Sequence, residues 1–267
     1  MRFKIDHDFH IHSYLSECSR HPEQTAENIL KYAKDNGLSK IVITDHYWDS
    51  AVEGAPMWYQ LQNFEHISKI KPLPQADGIK FLFGAETDVN LHCTLGVSKP
   101  NFDDFDFVII PTTHMHMAGF TIPESAYGDS SVLAKIWVEK LEKLLSLDLP
   151  FHKIGIAHLA CANINKKSRE DYINTLDLIP TDDMKRLFEK SAKLGVGIEL
   201  NQNDMSFSDS ETDSVLRMFR IAKNEGCKFY LGSDSHNPNG FLNATSAFRR
   251  AVDYLELTED DKFRLDK

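Results

Sequence analysis

The segment Asp8-Phe9-His10-Ile11-His12 lies at the end of a predicted strand, residues 3–9, and it decides how the rest of the sequence is interpreted. In an extended strand, residues two apart point to the same side. We therefore expect Asp8, His10 and His12 to converge on one face, where two imidazoles and a carboxylate can bind a metal ion. A single His-x-His pair is also typical of a polar strand end without a metal. The interpretation depends on whether other segments supply matching ligands.

Further strands alternate with helices along the whole chain. Short apolar or β-branched runs predict strands at residues 40–44, 80–85, 107–111, 153–157, 196–200 and 228–231. Apolar residues at helical spacing predict the intervening helices, the first of which opens near Ser19 and Pro22. Ser208 and Glu211 are typical of a capping box, and residues 159–180 are predicted to be a polar insertion. This alternation, with no break in composition, predicts one α/β domain over residues 1–267, either a closed barrel or an open sheet.

The composition is that of an acidic protein rich in histidine. The net charge is −10, and 12 histidines are present. Because binding of long nucleic acids needs a basic face, and no run of lysine or arginine occurs, such partners are disfavoured. The four cysteines are scattered without a Cys-x-x-Cys pair, which predicts a reduced, cytoplasmic protein. We find no signal-peptide core and no apolar run of membrane-spanning length, so no membrane partner is expected.

Potential metal ligands recur at the ends of the predicted strands. They are His10, His12, His46, Glu86, His114, His158, Asp234 and His236. In an α/β barrel the strand ends share one rim, and active sites form there. An open sheet would spread the strand ends over roughly 30 Å at a spacing of about 4.8 Å, which is too far for one cluster. The recurrence therefore favours a closed barrel with a metal site.

The order of these motifs resembles that of one known family, the PHP (polymerase and histidinol phosphatase) metal-dependent phosphoesterases. The resemblance covers nearly the whole chain. It rests on Asp8-x-His10-x-His12, Thr44-Asp45-His46, Glu86, His114, His158 and Gly232-Ser233-Asp234-Ser235-His236. It implies a distorted (β/α)7 TIM-like barrel as a single domain, in accord with the number of predicted strands.

The resemblance also implies a site for three divalent ions, which are zinc, manganese or iron. By match to the family motifs, the first ion is held by His10, His12, Glu86 and Asp234. Glu86 bridges to the second ion, which is also held by His114 and His158. The third ion is assigned to Glu17, His46 and His236. Glu17 departs from the family, because relatives often have histidine or aspartate at this position.

Other residues receive roles from the same resemblance. Asp234, Glu86 and His236 are the implied catalytic residues. Asp8 and Asp45 are implied to orient the ligand histidines.

The implied activity is metal-dependent hydrolysis of a phosphate ester, through in-line attack by a metal-bridging hydroxide. The chain is most similar to the histidinol-phosphatase branch, for which the substrate is a phosphomonoester of a small metabolite. It departs from that branch after His158, where Ala160-Cys161-Ala162-Asn163 replaces the usual acidic residue and nearby arginine. The candidate contacts to phosphate or substrate are Arg20, His116, Lys166 and Arg169.

Three other functions remain open. The first is a phosphodiesterase or exonuclease acting on nucleotides or short nucleic acids, and the second is a phosphotyrosine-protein phosphatase. The third is a non-catalytic metal-binding or regulatory domain, which is disfavoured because no ligand position has been lost.

Overall fold

The computed structural model describes residues 1–265 and contains a sheet of seven parallel strands in sequential order. They are β1 His7–Ile11, β2 Lys40–Ile43, β3 Lys80–Glu86, β4 Phe107–Pro111, β5 Ile154–Ala157, β6 Gly197–Asn201 and β7 Lys228–Gly232. Just past β7, the Asp234 N–H donates to the His10 carbonyl at 2.7 Å, and the His12 N–H donates to the Ser235 carbonyl at 3.1 Å. These bonds bring β7 against β1, which confirms the predicted (β/α)7 TIM-like barrel in a nearly closed form.

Helices surround the sheet. They are α1 Ala26–Asp35, α2 Met57–Gln60, α3 Phe64–Ile67, α4 Ser130–Leu144, α5 Arg169–Leu178, α6 Thr181–Leu194, α7 Thr212–Asn224 and α8 Ala244–Tyr254. The predicted capping box is confirmed, since Ser208 and Glu211 bond reciprocally ahead of α7. None of the helices within residues 1–265 combines the length and apolar character needed to cross a membrane.

One predicted helix start is wrong, and the predicted insertion contains a packed helix. The first helix begins at Ala26 instead of near Ser19, because the Thr25 hydroxyl caps it by accepting from the Asn28 N–H at 3.3 Å. The residues before it form turns. Residues 159–180 are not a mere insertion, because they contain α5, which buries Tyr172 and packs against α4 and α7.

The first strand is also shorter and less regular than predicted. It begins at His7 instead of residue 3, and its pairing with β2 shifts register between Asp8 and Ile11. Asp8 belongs to none of the groups of potential ligand atoms that contain His10 and His12 among residues 1–265. The Asp8 carboxylate instead accepts a hydrogen bond from the Tyr32 hydroxyl of α1 at 3.1 Å.

Apolar side chains divide between the barrel interior and the layer under the helices. Val42, Phe107 and Ile109 belong to a small interior cluster, whereas their neighbours along the same strands pack outward. This is the alternation expected of strands. The remaining members of the interior cluster are Phe9, Ala157, Tyr230, Phe263 and Leu265. Gly155 makes room for them, since a Cβ there would lie 2.6 Å from the Phe107 ring and 2.5 Å from the Tyr230 hydroxyl.

We expect Phe107→Ala to lower the free energy of unfolding by about 3–5 kcal/mol, because it leaves a cavity in the aromatic interior. Phe107 is fully buried and contacts the rings of Phe9, Tyr230 and Phe263. The matched control is Tyr127→Ala, an aromatic side chain that is 50% exposed, for which a change within about 0.5 kcal/mol is expected. Urea denaturation measures both. Equal losses in the two variants would contradict the assignment of Phe107 to the interior.

Candidate metal centre

Glu86, the last residue of β3, is buried among the rings of five histidines. The distances to its carboxylate oxygens are 3.1 Å from His12 Nε2, 3.2 Å from His46 Nδ1, 3.2 Å from His158 Nε2, 3.5 Å from His10 Nε2 and 3.9 Å from His114 Nε2. These rings come from the ends of β1, β2, β4 and β5. The structure therefore brings the strand-end residues to one point, as expected for a shared rim.

Asp234 and His236 complete this cluster from the end of β7. Asp234 Oδ1 lies 3.3 Å from His10 Nε2 and 3.2 Å from His12 Nε2. The His10 and His12 Nε2 atoms are themselves 3.2 Å apart. The His236 ring stacks on that of His12 with centroids 4.4 Å apart, and its Nδ1 donates to the Asp234 carbonyl at 2.7 Å.

Four of the histidine rings have Nδ1 engaged by another side chain, so Nε2 is directed to Glu86. The partners are Glu199 for His10 at 2.7 Å, Ser16 for His12 at 3.1 Å, Asp88 for His114 at 3.0 Å and Thr113 for His158 at 3.0 Å. This arrangement is typical of metal-ligating histidines, in which one nitrogen faces the ion and the other is held by an outer group.

The donor set fits divalent metal ions. Among residues 1–265, four groups of three potential ligand atoms lie within 4.8 Å of one another: His10, His12 and Asp234; His10, Glu86 and His158; His12, His46 and Glu86; and His12, Cys18 and His236. Imidazole and carboxylate ligands are those that zinc, manganese and iron bind. His114 joins through its contact with Glu86. Glu17 belongs to none of these groups, and Cys18 takes part in the last one.

Charges in the cluster depend strongly on one another. Burial by itself would raise the pKa of Glu86, but His46 and His10 hold that pKa well below its usual value. Burial lowers the pKa of His46 to about 3. For His12, burial lowers the pKa, but the hydrogen bonds to Asp234 and Glu86 outweigh it and raise the pKa to about 9. The site therefore attracts positive charge, which in the metal-free protein is met by protons.

Glu199, near the end of β6, supports the site in a way that sequence reasoning missed. Its side chain is fully buried, with Oε1 accepting from His10 Nδ1 and Oε2 accepting from the His158 N–H at 2.6 Å. Gly232 leaves space for it, since a Cβ there would lie 1.9 Å from Glu199 Oε1. The available signal is its position near the end of the strand that the sequence predicts at residues 196–200.

Asp88 supports the ring of His114 in the same way as Glu199 supports that of His10. Its Oδ1 accepts from His114 Nδ1 at 3.0 Å, and its Oδ2 accepts from the Tyr59 hydroxyl at 3.1 Å. Burial would raise the pKa of Asp88, but His114 lowers it. Asp88 follows Glu86 by two residues, a spacing that could have identified it.

The structure corrects the roles expected of Asp8 and Asp45, since among residues 1–265 neither carboxylate forms a hydrogen bond or an ion pair with a histidine ring. Asp8 accepts from the backbone N–H groups of His10 at 3.2 Å and Ser233 at 3.0 Å. Asp45 accepts from both the N–H and the hydroxyl of Ser13 at 2.6 Å. These carboxylates therefore fix the backbone of the ligand-bearing segments, while Glu199 and Asp88 orient the rings.

Two of the clustered residues have a positive φ, a backbone conformation that residues other than glycine rarely adopt. His158 has a φ of 29° and Asp234 a φ of 53°. Such conformations cost about 1–3 kcal/mol and persist where surrounding contacts impose them, often at functional sites. Here the Glu199 bond to the His158 N–H and the His10 carbonyl bond to the Asp234 N–H impose them.

A cavity of about 430 Å³ opens over the cluster. Beyond the clustered residues, its walls are formed by Glu17, Cys18, Trp58, His116, Met117, Asn163 and Lys166. Two of the four candidate substrate contacts, His116 and Lys166, are thus placed beside the site. Burial and the charge of His114 lower the pKa of His116 to about 4, so this ring is neutral near pH 7.

The other two candidate contacts lie elsewhere. Arg169 forms an ion pair with Glu211 through two hydrogen bonds of 2.7 and 2.8 Å, and it is not part of the cavity wall. Arg20 is exposed and forms an ion pair with Glu17. In this arrangement Arg169 is engaged away from the cavity, and its contact with a substrate stays a prediction. Arg20 contacts a residue of the cavity wall without lining the cavity itself.

Comparisons with known proteins agree with this architecture. A family model described as the PHP domain matches residues 8–203. A histidinol phosphate phosphatase from Lactococcus lactis subsp. lactis Il1403, solved with zinc, L-histidinol and phosphate, is 19% identical, with a TM-score of 0.60 over 92% of this chain and 93% of that chain. A candidate histidinol phosphatase from Listeria monocytogenes is 14% identical, with a TM-score of 0.62 over 91% and 100%. No curated protein sequence matches significantly. At these identities, the likeness shows the fold.

We expect Glu199→Gln to weaken metal binding about 10- to 100-fold without unfolding the protein. Both oxygens of Glu199 accept hydrogen bonds, so the amide NH2 of glutamine must face a donor on one side. Glu189→Gln, at a position 55% exposed on α6, is the matched control. Competition with a metal chelator measures the affinity, and circular dichroism measures the fold. Unchanged affinity in Glu199→Gln would contradict the supporting role.

We expect metal binding to the metal-free protein at neutral pH to release protons. The raised pKa of His12, about 9, means that its ring holds a proton at pH values below that point, and the ion needs the neutral ring. Metal affinity should therefore rise as the pH increases towards about 9. Calorimetric titrations in two buffers of different ionisation enthalpy measure the release. Equal heats in the two buffers would contradict it.

Proposed function

Because the chain belongs to the PHP domain family, whose members are metal-dependent phosphoesterases, we propose that it hydrolyses a phosphomonoester of a small metabolite. The observation that supports this proposal is the convergence of five histidine rings on the Glu86 carboxylate at the base of a cavity. The cavity, at about 430 Å³, has the size of a small-molecule site.

The proposed metal assignment follows the match to the family motifs, and the groups of clustered ligand atoms support part of it. One ion would be held by His10, His12, Glu86 and Asp234, and a second by Glu86, His114 and His158. A third lies towards His46 and His236, on the side that Glu17 and Cys18 line. When bound, such ions supply positive charge that neutralises the phosphate oxygens, and they lower the pKa of water to about 7. Zinc, manganese and iron all suit these ligands.

The chain's own residues hold the reacting groups in place. Glu86 and Asp234, which are proposed as catalytic together with His236, have their pKa values lowered below the usual carboxyl range. Burial would raise both pKa values, but neighbouring histidines lower them more strongly, so both groups stay ionised. His236 lies at the rim, with 32% of its side chain exposed, where it can meet the substrate.

Lys166 gives the cavity a preference for the charge of the substrate. Among the described residues it makes no ion pair with a carboxylate, and its charge lowers the pKa of His116 nearby. A cation on this wall disfavours a leaving group with a positively charged amine, which is the charge carried by histidinol. We therefore propose a neutral or anionic leaving group.

A phosphotyrosine peptide is the second candidate substrate. Trp58 lines the cavity, with its ring edge-on to His46 at 5.8 Å between centroids, and Met57 beside it is 82% exposed. An aromatic phosphate ester could pack its ring against this wall.

We also propose that the domain extends over residues 1–267, past the family match. The strand β7, with Asp234 and His236 after it, lies outside residues 8–203 and yet completes the barrel and the cluster.

We also propose a cytoplasmic location. The cysteines within residues 1–265 are free thiols, which supports this proposal.

We expect the purified protein to release phosphate from para-nitrophenyl phosphate when supplied with manganese, zinc or iron, and to lose this activity with excess chelator. A bis(para-nitrophenyl) phosphate assay and a phosphotyrosine-peptide assay separate the alternatives. Preference for the diester would overturn the monoesterase proposal in favour of a phosphodiesterase. No hydrolysis of any ester by protein with a full metal complement would overturn the phosphoesterase proposal itself.

We expect Lys166→Met to raise the KM for a phosphomonoester about 10- to 150-fold, because a hydrogen bond to a charged group contributes about 1.5–3 kcal/mol. Arg169→Met is the control, since Arg169 is paired with Glu211 away from the cavity, and its KM should stay unchanged. Steady-state kinetics measure both variants. A similar change in the two variants would show that Lys166 does not contact the substrate.

A further inference from the structure

The turn between β1 and α1 presents two candidate ligands, Glu17 and Cys18, to the cavity. It is a tight turn, in which the Ser16 N–H donates to the Ser13 carbonyl at 3.2 Å and the Ser19 N–H donates to the Ser16 carbonyl at 2.9 Å. The side chains of adjacent residues in such a turn point in different directions. The structure therefore distinguishes the two candidates.

Ser16 places Cys18 beside the ligand histidines. The Ser16 hydroxyl oxygen lies 3.1 Å from His12 Nδ1, accepts from the His46 N–H at 3.2 Å, and accepts from the Cys18 thiol at 3.5 Å. One hydroxyl thus fixes the thiol and two histidine segments together.

His236 is drawn to the same place from the other side. The Ser19 hydroxyl donates to the His236 carbonyl at 2.6 Å, and the His236 ring stacks on His12. As a result, Cys18 Sγ and one ring nitrogen each of His12 and His236 lie within 4.8 Å of one another. Two imidazoles and a thiol at this separation are a ligand set for zinc.

Glu17 is engaged differently. Its carboxylate forms an ion pair with the exposed guanidinium of Arg20, and it joins no group of potential ligand atoms among residues 1–265. Its backbone N–H donates to Gln62 at 3.0 Å, which fixes the turn and leaves the side chain directed towards Arg20.

We propose that Cys18, instead of Glu17, is the ligand that completes the third metal position with His236, on the side of the cluster where the His12 ring lies. This inference rests on the proposed function. On binding, a metal–sulfur bond forms at Cys18 Sγ and the thiol proton leaves to solvent. Because thiolate is a soft ligand, this position prefers zinc to manganese or magnesium, whereas a carboxylate would have the reverse preference.

The test is cobalt(II) substitution, because a cobalt–thiolate bond produces a charge-transfer absorption band in the near ultraviolet. We expect the full-length protein loaded with cobalt to show this band, and Cys18→Ser to lose both the band and one bound ion per chain. Glu17→Gln should keep both. Cys93→Ser, which changes a thiol on a loop outside the cavity, is the matched control and should also keep both.

A fourth variant separates coordination from a merely structural role. Cys18→Asp should lose the band but keep the ion, and its affinity should shift from zinc towards manganese, since the ligand is now a hard oxygen. The proposal is overturned if cobalt binds the unmodified protein without the band. It is also overturned if Cys18→Ser keeps the band, or if Glu17→Gln loses the ion that Cys18→Ser retains.

The outcome is distinct from that of the phosphoesterase proposal. Protein that shows the cobalt–thiolate band but hydrolyses no phosphate ester supports Cys18 and overturns the activity. Protein that hydrolyses the ester, with metal content unchanged by Cys18→Ser, supports the activity and overturns Cys18.

Discussion

The burial of one carboxylate, Glu86, among five imidazole rings is the constraint on which the rest of the site depends. A buried charge is costly unless it is paired, and five rings that all carried protons would repel one another. Glu199 and Asp88 reduce this conflict by accepting hydrogen bonds from the far sides of His10 and His114. The buried carboxylate therefore needs a few positive charges that contact many ligand atoms at once. Bound cations meet this need.

The barrel makes this arrangement possible because its strand ends are close and its interior is solid. The aromatic cluster of Phe9, Phe107, Tyr230 and Phe263 fills the space inside the strands, so the ligand residues rest on a packed floor. The outward side chains of the same strands pack under the helices. Rigid support of this kind on both sides holds ligand positions with little freedom.

The positions of residues at strand ends predicted most of the metal-ligand cluster. The residues that orient the ligands depend on hydrogen bonds, which the sequence could not predict. His46, Glu86 and His158 were predictable because parallel strands in a barrel must end at one rim. The roles of Glu199 and Asp88 depend on which nitrogen of each ring faces inward, and sequence does not record this. The contrast between Glu17 and Cys18 depends on a turn fixed by Ser16. Likewise, Arg169 contacts Glu211, which is 42 residues away, and no local pattern signals that pair.

The interior cluster has a consequence for how the chain folds. Phe9 lies in the first strand and Phe263 beyond the last, and the two share one interior although 254 positions separate them (263 − 9 = 254). Contacts so distant in sequence are entropically expensive to form before the intervening chain is ordered. Topologies dominated by such contacts reach the native state slowly. The floor beneath the ligands is therefore complete only when the two ends of the sheet have met, and we expect this requirement to slow the folding of the barrel.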